Sequence, residues 1–93
     1  MTTSDFIRIT QRIIDRDGFD GYLPTLLLPA RKHIEVLEGV PPEVNIEEAA
    51  RDWADRTAEA SEDFFLAFKL SQTHFKVVAR VDGQINEQTA PAV

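Results

Sequence analysis

Residues 45–82, NIEEAARDWADRTAEASEDFFLAFKLSQTHFKVVARVD, decide how the chain is read. The first part carries helix signals. Asn45 precedes Glu48 by three positions, the capping-box spacing, in which the asparagine oxygen accepts from a first-turn amide and the glutamate reaches back. Glu47 and Glu48 fall where the helix dipole favours acids. No Gly or Pro interrupts the run from Asn45 to about Ala60. Ile46, Ala50, Trp53, Thr57 and Ala60 recur at helical spacing and share one face, with Trp53, the only tryptophan, as its largest anchor.

At about 100° per residue, Glu48, Asp52, Asp55, Glu59 and Glu62 fall roughly opposite that stripe. The plain reading of these carboxylates is a solvated helix face. The functional reading is an acidic edge that meets a basic protein partner.

The second part reads as a β-hairpin, Phe64 to Asp82, with Ser71, Gln72 and Thr73 as its loop. Even positions from Phe64 to Leu70 are apolar, as are odd positions from Phe75 to Val81. Period two then predicts one apolar face made of Phe64, Leu66, Phe68, Leu70, Phe75, Val77, Ala79 and Val81. The opposite face would carry Phe65, Ala67, Lys69, His74, Lys76, Val78 and Arg80. Its plain reading is a half-wet antiparallel sheet. Its functional reading is an anion or nucleic-acid surface, where Lys69, Lys76 and Arg80 meet phosphate and Phe65 stacks on a base.

Outward from this unit, Ser4 reads as the N-cap of a first helix over Asp5–Arg16. Phe6, Ile9 and Ile13 share its inner face, widened by Ile7 and Ile14, and Arg8, Arg12 and Arg16 step along its polar side. The aspartates of 15–21 invite a calcium loop. An EF-hand counted from Asp15 fails at Phe19, Asp20 and Leu26, and a glycine-capped helix end explains the segment better. Tyr22–Leu28 and His33–Leu37 read as strands joined by a turn at Pro29. Gly39-Val40-Pro41-Pro42-Glu43-Val44 is a stiff connector whose double proline delays the next helix.

The expected architecture is therefore α+β: helix–hairpin–helix–hairpin, a four-stranded antiparallel sheet with two helices packed on one face. Residues 1–83 make a single small domain on this reading, and 84–93 a mobile C-terminal tail.

Sixteen acidic residues against ten Lys and Arg give a net charge of −6, which disfavours non-specific binding to nucleic acid or anionic membranes. The chain has no cysteine, which excludes disulfides, thiol chemistry and cysteine-bound zinc. It suits a reducing compartment. The N-terminus lacks the basic start and apolar run of a signal peptide, and no apolar run is long enough to span a bilayer. Cytoplasmic is the expectation.

No nucleophile motif, phosphate loop or metal-ligand spacing is present, so no catalytic residue, metal site or cofactor is assigned. His33 and Glu35 share one face of a strand, and with His74 they could together hold a metal, though nothing in their spacing demands it. A small metal- or carboxylate-dependent enzyme is the remote alternative. The leading expectation is a small acidic non-catalytic protein-binding module, of inhibitor, immunity or regulatory type. A homo-oligomer joined through a sheet edge or the Phe65 face is compatible with it.

Overall fold

The computed structural model describes residues 1–93. The elements run α1 (Thr3–Asp17), β1 (Thr25–Leu28), a 3-10 turn (Pro29–Arg31), β2 (His33–Val36), α2 (Ile46–Thr57), β3 (Phe64–Lys69), β4 (His74–Val81) and β5 (Gln84–Pro91). The five strands form one antiparallel sheet in the order β2-β1-β3-β4-β5. The α+β class is as expected. The strand count and the layering differ.

The layering turns on one loop. Leu70 and His74 face each other across residues 71–73, the Leu70 amide donating to the His74 carbonyl at 3.0 Å. A three-residue loop pairs even positions with even ones: Phe64 lies opposite Arg80, Leu66 opposite Val78 and Phe68 opposite Lys76. Phe65, Ala67 and Lys69 accordingly face Ala79, Val77 and Phe75. The single apolar face expected for the hairpin does not exist, because its two halves point to opposite sides of the sheet.

Both sides are covered, one helix to each. Phe65, Ala67, Phe75, Val77 and Ala79 join Leu27 with Phe6 and Ile14 of α1. Leu26, Leu28, Phe64, Leu66, Phe68 and Val78 join Ala50 and Ala54 of α2, with Ala58 just beyond it. The two helices do not share a face. A sheet covered twice needs apolar residues at consecutive positions, and β1 (TLLL) and most of β3 (FFLAFK) are buried without alternation.

The helix ends shift slightly. Thr2, not Ser4, caps α1: its hydroxyl accepts from the Asp5 amide and the Asp5 carboxylate accepts from the Thr2 amide, a complete capping box. Asn45 caps α2 through the Glu48 amide at 3.3 Å, without the return bond. α2 ends at Thr57, so Ala60 lies outside it and is exposed. Ala50, Ala54 and Ala58 make the closest approach to the sheet, and Trp53 is a half-buried flank rather than the central anchor.

Residues 84–93, expected as a tail, carry the fifth strand. Asp82 and Gly83 turn the chain at φ 52° and 79°, with Val81 opposite Gln84. Positive φ at both central positions is the hairpin turn that an Asp-Gly pair favours. The far end is held as well. The Ala92 amide donates to the Thr73 carbonyl at 2.8 Å, Gln11 Nε2 donates to the Ala92 carbonyl at 2.7 Å, and the Ala92 methyl is buried beside α1. No helix is long and apolar enough to cross a membrane.

Candidate functional site

The anion-binding set from the sequence is dispersed by the fold. Phe65 is 1% exposed, with its ring centroid 5.6 Å from that of Phe6, and offers no platform for a base. Lys69 is on the α1 side, its ammonium 4.9 Å from the Phe19 ring centroid. Lys76 and Arg80 are on the α2 side, and both are engaged within the fold. Arg80 donates to the carbonyls of Glu62 and Glu59, each at 2.9 Å, and lies over the Phe64 ring. It clamps the turn between α2 and β3.

Lys76 belongs to a closed ring of alternating charge. Its ammonium contacts Glu47 at 3.2 Å and Glu87 at 2.9 Å, and Arg51 contacts Glu47 at 2.8 Å and also Glu87. The ring ties α2 to β4 and β5. The Arg51 bond holds the Glu47 carboxyl below its usual range, and the Lys76 bond does so for Glu87. Lys76 is raised, first by its bond to Glu87. Burial pulls Arg51 down, and the bonds to Glu87 and Glu47 outweigh it, leaving Arg51 raised. Only the Glu47–Arg51 step was legible, as an i,i+4 pair with the acid first.

The three groups suggested for metal chemistry do not converge. His33 Nε2 is 2.8 Å from Glu35 Oε1 on β2, whereas His74, which contacts Thr73, starts β4, with β1 and β3 in between and at the other end of the sheet. No group of three or more His, Asp or Glu side chains is placed to hold a metal ion.

The acidic face is divided too. Glu62 turns inward and is only 11% exposed, accepting from Arg31 Nε and from the Glu59 amide, each at 2.8 Å. The Arg31 bond and then the Glu59 amide hold its carboxyl low. Glu59 lies past the end of α2 and stands in solvent. Asp55 borders a cleft of about 250 Å³ with Arg51, over Phe64, Leu66, Val78 and Ile85.

Glu48 and Asp52 are brought together with the connector between β2 and α2. Gly39 at φ 70° and the Pro41–Val44 turn, closed by the Val44 amide on the Pro41 carbonyl at 3.1 Å, lay the connector against the outer flank of α2. Between them is a groove of about 480 Å³. Leu37, Val40, Pro41 and Val44 supply its apolar wall, Glu38, Glu48 and Asp52 its acids, and Arg56 its one cation. None of these three carboxylates makes an ion pair within the fold. The signal in the sequence was Leu37-Glu38-Gly39-Val40-Pro41-Pro42, apolar residues held at the surface by prolines.

No protein-family model, curated protein or solved structure matches the chain.

Proposed function

We propose that this chain is a non-catalytic protein-binding module that takes a basic, partly apolar segment of a partner in the groove between the 37–44 connector and α2. The observation that carries the reading is the pairing of three uncommitted carboxylates, Glu38, Glu48 and Asp52, with an apolar wall in one concave surface. Other carboxylates are committed within the fold, Glu62 to Arg31, and Glu47 and Glu87 to Arg51 and Lys76. Acids left without a partner beside exposed apolar groups suit a cationic amphipathic ligand, and the net charge of −6 favours its approach. An inhibitor that caps a basic site on another protein, in a reducing compartment such as the cytoplasm, is the form of this function the chemistry fits best.

The test uses a fluorescent peptide alternating leucine and arginine, and its leucine–glutamate counterpart, followed by anisotropy. The arginine peptide should bind, weaken steeply with added salt and outcompete the glutamate peptide. Glu48→Lys with Asp52→Lys should weaken binding at least about tenfold, the scale of one or two lost charge contacts. Both side chains are exposed, so unfolding by urea should be nearly unchanged. Equal binding by the charge-reversed protein, or no binding of the arginine peptide at low salt, refutes the groove as the site.

A further inference from the structure

We infer that β2 is a self-pairing edge, and that two copies of this chain join there in antiparallel register centred on Ile34. The inference is independent of the groove. β2 pairs with β1 on one side only and is the free end of the sheet. The Leu37 amide donates to the Pro24 carbonyl at 2.9 Å, which makes that pair hydrogen-bonded. Antiparallel ladders alternate, so His33 and Glu35 turn their backbone groups towards β1, while Ile34 and Val36 turn theirs outward.

The outward residues also carry exposed apolar side chains. Ile34 is 63% exposed and Val36 47%, both on the α1 side and opposite Leu27 and Thr25. Leu23 and Val36 border one shallow hollow next to Ile13 at the end of α1. The edge has no proline and no bulge to discourage pairing.

Charge selects the occupant and the register. Lys32 and His33 precede Ile34 and Glu35 follows it, so an antiparallel second copy brings Lys32 and His33 of each edge to Glu35 of the other, and the His33–Glu35 contact within each strand is exchanged for one between copies. Three registers match outward groups within the strand. One places Ile34 opposite Ile34 and His33 opposite Glu35, twice by symmetry. A second, with Ile34 opposite Val36, places Glu35 directly opposite Glu35, which like charge disfavours. The third, with Val36 opposite Val36, sets Glu35 against Leu37 and makes no charge pair. β5 lacks this pattern: its one charged residue is Glu87, already held by Arg51 and Lys76, and it ends in Pro91. Because β2 is only four residues long, the dimer should be weak and concentration-dependent.

The chain has no cysteine, so single cysteines report the geometry directly. Ile34→Cys should cross-link to itself on mild oxidation, since opposed Cα atoms about 5.5 Å apart suit a disulfide. Glu35→Cys should cross-link at least tenfold more slowly, as should Gln88→Cys on β5. Light scattering of the unaltered chain from micromolar to millimolar should show the mass rising towards two copies. Ile34→Lys should hold it at one copy with an unchanged thermal melt. A monomer mass throughout overturns the inference. Preferential cross-linking at Glu35 overturns the register, and at Gln88 the edge.

Discussion

α1 brings Phe6 and Ile14 into a cluster where much of the sheet's share is small, including Ala67, Val77 and Ala79. α2 brings alanines, Ala50 and Ala54, into a cluster where the sheet supplies Leu26, Leu28, Phe64, Leu66 and Phe68. One helix contributes bulk and the other contributes closeness. The polar margins differ in the same way. The α2 side is tied down by the Glu47–Arg51–Glu87–Lys76 ring, whereas the α1 side buries a Thr10 hydroxyl that makes no hydrogen bond of good geometry. Apolar content alone therefore misjudges α2. A helix can close a core with methyl groups if the sheet beneath it is large enough to meet them.

The sharpest way to break this comparison is Phe65→Ala, which removes one of the two phenylalanines that the sheet supplies on the α1 side. A buried aromatic truncated to alanine costs about 3–5 kcal/mol, so the urea midpoint should collapse. Were Phe65 on an open face, the change would be near zero. On the other side the damage should come from adding atoms. Ala54 is fully buried against the sheet, and Ala54→Leu should cost about 1–3 kcal/mol by overpacking. A neutral result for Ala54→Leu in the same titration would mean that α2 rides loosely on the sheet and that the contrast between the faces is false.

The sequence made the hairpin, both helices and the Asn45 cap legible because each rests on local chemistry. It misled where a single integer mattered. The 71–73 loop was located, but a loop of three residues forces Leu70 opposite His74, and that parity sends Phe64 and Phe65 to different helices. The unbroken apolar run Phe64–Phe68 was the available sign of a sheet covered twice. β5 was missed for a different reason. Gln84-Ile85-Asn86-Glu87-Gln88-Thr89 has little apolar pattern because nearly all of the strand is exposed, and only Asp82-Gly83 announced it. The groove depends on where the connector lies against α2, which no local pattern specifies.

Thr10→Val probes the α1 side in the stabilising direction. The hydroxyl is buried and makes no hydrogen bond of good geometry, with only a loose approach to the Tyr22 hydroxyl, and replacing so poorly satisfied a group by a methyl of the same shape should raise stability by up to about 1 kcal/mol. A lower urea midpoint in the variant would mean that the hydroxyl does find a partner in solution, and that this face is as well satisfied as the other.

Glu87→Gln tests the α2 margin and should have the smallest effect. The ring side chains are 20–39% exposed, so solvent and salt screen them, and the loss at neutral pH should stay below about 1 kcal/mol. Its signature is the pH dependence. Glu87 and Glu47 titrate lower in the fold than in the unfolded chain, each held down by a cation. Their contribution is therefore fully present above the unfolded value of about 4.3 and is lost as pH falls through the lower folded values. Lys76, raised in the fold, acts at the opposite end: its share is present below about 10.4 and fades as pH rises past the folded value. The variant should thus differ most from the parent at neutral pH and converge with it in acid, with a shallower acid limb. Raising ionic strength from about 0.1 to 1 M shortens the screening length from about 10 to 3 Å and should narrow the neutral difference. A gap that persists undiminished in acid would show that Glu87 holds β5 by packing rather than charge, and the electrostatic half of the contrast between the two faces would then be lost.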